Sequence, residues 1–466
     1  MKKKILFFVM AIMATTFLVP NVYAGTSVVA KIGSAEYSTL QEAINAATAG
    51  ETVTLVADTK EDITIAAGKD IILDTGTFTL TNNTGNTITN SGTLTIKGNG
   101  TIDNVTHGKG ALVNNGTVTV LSSTFTRSKE AGTRAGAGGN SWYVIDNNGT
   151  NAVLTFKGGK VVNNSGFSSL IRNLYATMVV EDGTFENDFI AIKNDDNGTL
   201  KISGGKVSTK AAEGSAVQNY GDFTLSGGEL NAVEGASALT ALRESDQYVS
   251  TTTIENGTIN GNISIRNTRD ITQYPKVKIE GGDITGDIAV TRKGQLEVVK
   301  GNIDGTITSD DTATVTTAGG TYSTEPSAET VPEGYKVFDN EDGTYTVAIP
   351  VKLTLKSDDI SETVEIPKGT VFTAEEYQAM VDAINEALEA DGLKLTGFYL
   401  DEDLEDEFDF STPINEDLEL YMAFEEITPE KKEVNPETSD VNLFLILSLA
   451  ALGTLGTALV LKNRLS

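Results

Sequence analysis

The chain lacks cysteine altogether, and tryptophan, histidine and proline are scarce. Its 466 residues include one tryptophan, one histidine and nine prolines. Without cysteine the fold cannot depend on disulfide bonds, and no thiol is available for chemistry. The small number of prolines argues against a stiff proline-rich stalk, whereas the 46 glycines indicate many tight turns.

Basic residues are also few in comparison with acidic ones. The chain has 35 Lys and Arg against 64 Asp and Glu, which gives a formal net charge of -29. Nucleic acids and anionic lipid surfaces bind basic patches, so we expect neither as the main partner. The sequence contains no zinc motif, no phosphate-binding loop and no Ser-His-Asp set, and it therefore predicts neither a metal nor another cofactor.

Residues 1–24 have the order of a secretory signal peptide. A basic start is followed by an apolar run of about fifteen residues and by Val22-Tyr23-Ala24, which predicts cleavage after Ala24. The alternative is a retained membrane helix. The run is shorter than the roughly twenty residues that span a bilayer, which favours export with cleavage.

The C-terminal residues have the order of a membrane segment preceded by a short motif. Residues 441–461 carry no charge, and the tail at 462–466 contains Lys462 and Arg464. This pattern predicts one membrane crossing with the basic tail in the cytoplasm. A five-residue motif stands just before the segment: Asn435, Pro436, Glu437, Thr438 and Ser439.

The motif, the apolar segment and the basic tail together resemble the sortase sorting signal of Gram-positive surface proteins, the LPxTG-like peptidoglycan anchor. The resemblance implies that a sortase cuts between Thr438 and Ser439 and joins Thr438 to the peptidoglycan cross-bridge, so membrane insertion is transient. Asn435 stands where Leu is commonest and Ser439 where Gly is commonest, as in substrates of other sortase classes. The expected location is the cell wall surface, reached through a single-pass membrane precursor. The alternative is an ordinary C-terminal membrane anchor.

A repeat occupies residues 71–322. Each copy has two apolar residues at alternate positions, a short turn that usually contains glycine, and one more apolar residue. The interval between copies is usually 19 to 29 residues, which indicates a solenoid. The eleven copies begin at Ile71, Leu94, Val118, Leu154, Met178, Leu200, Phe223, Thr252, Val277, Leu296 and Val315.

The repeat predicts a parallel β-helix. Alternating apolar residues turn one face of each strand inward, and glycine at the corner supplies positive φ. A β-hairpin meander is the alternative, but it needs antiparallel partners at shorter spacing. A short helix at 38–47, capped by Ser38 or Thr39, is expected to cover the first exposed edge and to lead into a strand at 52–56.

This helix-then-strand opening, with the Gly-Gly corners, resembles the pectin-lyase-like superfamily. The resemblance implies a right-handed, single-stranded parallel β-helix over residues 25–349. Residues 350–425 have the order strand, strand, helix, strand, strand, with a capping box from Thr373 to Glu376, which suggests a small α+β domain of β-grasp type. The end of this segment resembles the internalin-type B repeat, with Phe424 where that family usually has Trp. Residues 426–440 are the linker and sorting signal.

The largest insertion between repeats, at 126–151, is the first candidate binding site. It holds Arg127, Arg134, Trp142 and Tyr143, and basic residues beside the only tryptophan suit a sugar ring or an acidic glycan. The alternative is that Trp142 only packs the loop onto the rod. A smaller candidate is the segment 242–248, with Arg243 and Tyr248.

β-Helices of this superfamily include polysaccharide lyases and hydrolases, so catalysis is an alternative function. A lyase needs an Arg or Lys base, and a hydrolase needs convergent carboxylates. Asp195-Asp196 lies in a sequence typical of a turn, His107 in a loop, and the acidic stretch 401–409 lacks calcium-loop spacing.

We therefore assign no catalytic residue and expect a non-enzymatic adhesin or glycan-binding surface protein whose partner is a host or environmental glycan or protein. A surface-attached polysaccharide lyase or glycoside hydrolase is the alternative. Three or more carboxylates, or carboxylates with an arginine, that converge in one groove would favour it, whereas scattered carboxylates would favour adhesion.

Overall fold

A computed structural model describes residues 27–128, 143–163, 169–357, 361–388 and 392–427. These residues are mainly β, and the two helices among them are Leu40–Ala46 and Ala374–Leu388. Within these ranges, no helix has the length and apolar character needed to cross a membrane. The predicted signal peptide, sorting signal and apolar segment 441–461 lie outside the described residues.

Most strands form three long stacks in which each strand pairs in parallel with the equivalent strand of the next coil. The first stack contains Glu51–Leu55, Asp70–Asp74, Thr93–Lys97, Thr117–Val120, Val153–Val162, Thr177–Asn187, Thr199–Ile202, Asp222–Leu225, Thr251–Ile254, Lys276–Ile279, Gln295–Val298 and Thr314–Thr317. The second contains Thr59–Lys60, Thr79–Thr81, Thr101–Asp103, Thr124–Thr126, the later parts of Val153–Val162 and Thr177–Asn187, Lys206–Thr209, Glu229–Ala232, Thr258–Asn260, Asp283–Thr285, Asn302–Asp304 and Thr321–Tyr322. The third contains Ile63–Ile65, Ile88–Asn90, Leu112–Asn114, Ile145–Asn148, Ile171–Leu174, Ile190–Asn194, Ser215–Asn219, Ser237–Arg243, Asn262–Asn267, Ile288–Thr291 and Ile307–Ser309.

This arrangement is consistent with a parallel β-helix and rules out the antiparallel meander for the stacked region. Each of the eleven sequence copies supplies one strand to the first stack, as predicted. The first copy differs from the prediction in its last apolar residue. Leu80, and not Phe78, stands opposite Ile102 of the next coil and is fully buried. The turn in that coil is longer, which moves the inward position by two residues.

The beginning of the stacks is covered as expected by the short helix. The Thr39 hydroxyl accepts a hydrogen bond from the Glu42 N–H at 3.2 Å, and Leu40, Ala43 and Ile44 are buried. Two short strands that were not predicted, Ala30–Ile32 and Ala35–Tyr37, precede the helix and pair antiparallel with each other. They lengthen the cover, because Ala30–Ile32 also pairs antiparallel with the first stacked strand.

The other end of the stacks continues into an antiparallel hairpin and then into a separate four-stranded sheet. The hairpin joins Lys336–Asp339 to Tyr345–Ala348. The following sheet has the spatial order Ser361–Pro367, Pro350–Lys356, Leu418–Glu426, Leu393–Tyr399. Together with the helix Ala374–Leu388 it has its own buried core, and we call residues 350–427 the C-terminal unit.

The expected capping box opens the helix of the C-terminal unit. The Thr373 hydroxyl accepts from the Glu376 N–H at 3.2 Å, and the Glu376 carboxylate accepts from the Thr373 N–H at 2.7 Å. The four strands also occur in the predicted order. Apolar residues alternate along each strand and face the helix.

A row of six buried asparagines runs inside the third stack, at the inward position near the end of each strand. Each side-chain Nδ2 donates to the Oδ1 of the asparagine in the next coil at 2.7–2.8 Å. The last Nδ2 donates to the Thr252 hydroxyl at 3.0 Å. We call this row the asparagine ladder: Asn90, Asn114, Asn147, Asn173, Asn194 and Asn219.

Candidate functional site

Cations, carboxylates and tyrosine rings lie in contact with one another on the outward surface of the third stack. Strand residues alternate between inward and outward, so each ladder asparagine has outward-facing neighbours on the same strand. We call the surface formed by these neighbours and the adjoining turns the third-stack face: Tyr143, Asp146, Arg172, Tyr175, Lys193, Asp195, Asp196, Tyr220, Glu244, Tyr248 and Arg266.

One end of the third-stack face is organised by a buried carboxylate. Asp146 has a side chain only 4% exposed, and both of its oxygens accept from the Arg172 guanidinium at 2.8 Å. The two residues stand opposite each other in neighbouring strands. The same guanidinium lies 4.8 Å from the centre of the Tyr143 ring. Because Asp146 holds Arg172 by two bonds, the cation has a fixed position above the ring.

The middle of the third-stack face repeats this combination of cation, carboxylate and ring. The Lys193 Nζ lies 3.0 Å from an Asp195 oxygen and 5.1 Å from the centre of the Tyr220 ring. Burial, together with the negative charges of Glu244 and Asp195, raises the pKa of Tyr220 to about 12. This hydroxyl therefore remains protonated, and can donate a hydrogen bond, at any physiological pH.

The far edge of the third-stack face is formed by two tyrosines and a group of carboxylates. The Tyr175 and Tyr248 hydroxyls are 3.2 Å apart and the rings meet edge to face, with centres 6.0 Å apart. Burial, with the like charges of Asp195 and Glu244, raises the pKa of Asp196. The carboxylates of two separate turns therefore act on each other across this edge.

The structure brings together parts of candidates that are far apart in the sequence. Tyr143 of the first candidate loop, the Asp195-Asp196 pair and Tyr248 of the second candidate all belong to the third-stack face. Residues 195–198 form a turn, as their sequence indicates, and the carboxylates of that turn act on the face.

The remaining predicted binding residues are placed differently. Arg127 is fully buried, so it is not part of an exposed loop surface. Arg134 and Trp142 lie outside the described residues. Arg243 is 6% exposed, and its guanidinium donates to the backbone oxygens of Ser245 and Asp246, at 3.0 Å to Ser245, so it holds the 243–248 loop. Its place is under the loop and not at its surface.

Asp146, Arg172, Lys193 and Tyr220 are not among the binding residues predicted from the sequence. A usable signal exists, because each lies one position before or after a ladder asparagine, and Asn-x-Gly recurs at Asn90, Asn114, Asn147 and Asn219. The eleven copies of the repeat begin on strands of the first stack, however, and the ladder asparagines lie between one copy and the next.

The other chemical candidates do not form a site. His107 is exposed in its loop. In the 401–409 stretch the Asp401 carboxylate accepts the backbone N–H groups of Glu405 and Asp406 at 3.1 and 2.8 Å, which lower its pKa and close the loop. Among the residues that the structure describes, no cluster of His, Cys, Asp and Glu has the arrangement of a metal site.

Comparison with known proteins returned no match among protein families, curated proteins or solved structures.

Proposed function

We propose that this chain is a glycan-binding protein displayed on the bacterial cell surface, and that the third-stack face is its binding site. The observation that carries the proposal is the repeated unit of a partly exposed tyrosine, a cation and a carboxylate on successive coils. Tyrosine rings pack against the C–H face of a sugar, while cations and carboxylates bond its hydroxyls. Parallel strands repeat such groups along the direction in which a polysaccharide extends.

The charges favour a neutral glycan over an acidic one. The third-stack face holds three cations, Arg172, Lys193 and Arg266, against four carboxylates: Asp146, Asp195, Asp196 and Glu244. Two of the cations are paired with carboxylates at 2.8 and 3.0 Å. An acidic sugar would have to displace these partners and approach the remaining carboxylates, whereas a neutral sugar can bond to the pairs as they stand.

Display at the surface is part of the same proposal. It rests on the signal peptide that ends at Ala24 and on the resemblance of 435–466 to a sortase sorting signal. Under this proposal the stacks are a right-handed, pectin-lyase-like β-helix, and the C-terminal unit is a β-grasp-like module that raises them above the wall. Their order in the chain supports it, because the module lies between the stacks and the sorting signal.

Polysaccharide cleavage is the second candidate, and the convergence of carboxylates with Arg172 favours it. The raised pKa of Asp196 is the property a general acid requires, and Glu244 is the nearby carboxylate that could act with it. Asp146 and Asp195 are already paired with cations, which leaves Asp196 and Glu244 as the two carboxylates that a hydrolase requires. We rank cleavage second because it uses only this one edge of the face, whereas the unit of tyrosine, cation and carboxylate repeats on successive coils.

A glycan array with the mature chain tests the binding proposal. We expect a neutral oligosaccharide to bind, and Tyr220→Ala to weaken binding at least about tenfold, because a sugar–ring contact is lost. Tyr220→Phe keeps the ring and should bind within about threefold of the parent. Tyr399→Ala, in the C-terminal unit, is the control and should not change affinity. Unchanged binding in Tyr220→Ala, or no binding on the array, would overturn the proposal.

A reducing-sugar and unsaturated-product assay on the bound glycan separates the two candidates. Turnover that disappears in Asp196→Asn would establish cleavage as the function. Binding without turnover would support the non-enzymatic proposal.

A further inference from the structure

The first and last strands of the C-terminal unit are neighbours at the centre of its sheet. Pro350–Lys356 and Leu418–Glu426 run parallel, with Leu353 opposite Leu418 and Lys356 opposite Tyr421. Each is flanked by an outer strand, Ser361–Pro367 on one side and Leu393–Tyr399 on the other. The chain therefore enters and leaves this unit on two adjacent strands that point the same way.

The connection between the hairpin and the C-terminal unit is short and held by side-chain and backbone contacts. The hairpin strand Tyr345–Ala348 is followed after one residue by Pro350–Lys356. The Ile349 carbonyl accepts the Lys368 N–H at 2.8 Å, and Lys336 of the hairpin forms an ion pair with Glu365 at 2.9 Å. A pull on the stacks is therefore transmitted directly to the first strand of the unit.

Force on these two strands acts in shear. The N-terminal end of one strand is pulled toward the stacks, and the C-terminal end of the other is pulled in the opposite direction. Because the strands are parallel neighbours, the load runs along both of them. It is shared by all the hydrogen bonds between them at once, whereas force applied at one end of a strand pair breaks the bonds one at a time.

The contacts across this strand pair reinforce it. Leu353, Leu355 and Leu420 are buried beneath the pair. At its start the Asp417 carboxylate accepts the Lys352 N–H at 2.8 Å, and at its other end Lys356 and Glu419 form an ion pair at 2.7 Å. Sliding one strand past the other would move buried side chains and break both side-chain contacts.

We propose that the C-terminal unit is a force-bearing clamp that stays folded when the bound glycan is pulled away from the cell, so that the ligand-binding stacks are held close to their anchorage. The proposal rests on the proposed anchorage beyond residue 427, because shear requires the chain to be held at that end.

Single-molecule pulling through chosen residues of the full chain tests the clamp. The chain has no cysteine, so two introduced thiols are the only attachment points for handles. Ile349→Cys with Glu426→Cys loads the central strands in shear. Ile349→Cys with Glu416→Cys pulls the same ends of both strands apart and unzips them. All three positions are exposed, and circular dichroism of each variant checks that it is folded.

We expect the shear pair to unfold at a force at least about twofold higher than the unzipping pair at the same pulling speed. Equal forces, or a lower force in shear, would overturn the clamp. The measurement uses neither glycan nor sorting signal, so its failure would leave the proposed binding function untouched. A failed glycan array would likewise leave the pulling result intact.

Discussion

The asparagine ladder shows how much a single inward side chain can contribute at the residue scale. Asn173 accepts from Asn147, and its Nδ2 donates to Asn194 at 2.8 Å and to the Ala176 carbonyl at 3.0 Å. All of these side chains are fully buried. A polar group at this depth is stable only when its bonds are complete, so each ladder asparagine depends on its neighbours.

We expect Asn173→Ala to lower the free energy of unfolding by about 2–4 kcal/mol, because it leaves polar atoms of Asn147 and Asn194 buried with fewer bonds. Asn260→Ala is the matched control, since it removes a 2.9 Å bond of the same type to Asn231 at the exposed surface. It should cost less than about 0.5 kcal/mol. Urea unfolding of both variants measures this, and equal effects would contradict the prediction.

Asp196 gives a pH-dependent prediction. Burial and the charges of Asp195 and Glu244 raise the pKa of Asp196 in the folded protein. At low pH its carboxyl is neutral in both the folded and the unfolded chain. As the pH rises through the raised pKa, ionisation opposes folding. We therefore expect Asp196→Asn to unfold at a higher temperature than the parent at pH 7 and at the same temperature at pH 3.

Asp401→Asn is the opposite-sign control for this experiment. Backbone hydrogen bonds lower the pKa of Asp401, so its ionised form stabilises the fold above the ordinary pKa of an aspartate. Its variant should be less stable than the parent at pH 7. If both variants are less stable than the parent at pH 7, the assignment of the Asp196 pKa shift is wrong.

At the residue scale, prediction from the sequence succeeded where the interacting residues are close in the chain and failed where they belong to different coils. The caps at Thr39 and Thr373 are local hydrogen bonds, and both occur as predicted. The pairing of Asp146 with Arg172 joins residues 26 positions apart, and it becomes visible only when Asn147 and Asn173, which follow them, are aligned between coils. The burial of Arg127 likewise depends on coils that lie far away in the chain.

At the scale of elements, the Gly-Gly corners require glycine for two reasons, and the repeat pattern indicates only one of them. Gly205 has φ of +79°, as expected for the corner. Gly204 does not have positive φ. A Cβ on Gly204 would lie 2.1 Å from the Glu181 carbonyl oxygen of the preceding coil. Because Gly204 has no side chain, the two coils can approach closely. This requirement arises from the stacking of coils, so a single copy of the repeat does not reveal it.

We expect Gly204→Ala to destabilise the fold by about 1–3 kcal/mol, because the added methyl group must push neighbouring coils apart. Asn256 stands at the equivalent corner position of a later coil and already carries a Cβ. Asn256→Ala should therefore change stability by less than about 0.5 kcal/mol. Thermal unfolding compares the two variants. A Gly204→Ala protein as stable as the parent would show that the coils can separate freely at this corner.

At the scale of the whole molecule, the repeat period was sufficient to predict stacked parallel strands and their number of copies. The period could not place the third stack, because its strands lie at variable distances after the corner. It also could not identify the third-stack face, which is assembled from turns and strands between residues 143 and 266. Solenoid stacking determines which turns become neighbours, and this information is distributed over many copies.

The proposed anchorage can be tested on whole cells. We expect Thr438→Ala to remove the protein from the wall fraction and to leave it in the membrane or the medium, because the carboxyl that a sortase would transfer is no longer presented in its motif. Immunoblots of fractionated cells measure this, with Ser411→Ala in the C-terminal unit as the control. Continued covalent attachment of the Thr438→Ala protein to peptidoglycan would refute the sorting assignment.

The asparagine ladder also gives the stacks an electrostatic direction. The Oδ1 atoms of Asn90, Asn114 and Asn219 accept backbone N–H groups, so their Nδ2 groups must point toward the later coils. Six amide dipoles therefore align head to tail, and their positive end lies at Asn219. Asp195 and Asp196 directly follow Asn194 near that end, where the aligned dipoles partly offset the repulsion between their carboxylates. The same row of amides that holds the coils in register thus polarises the surface above it.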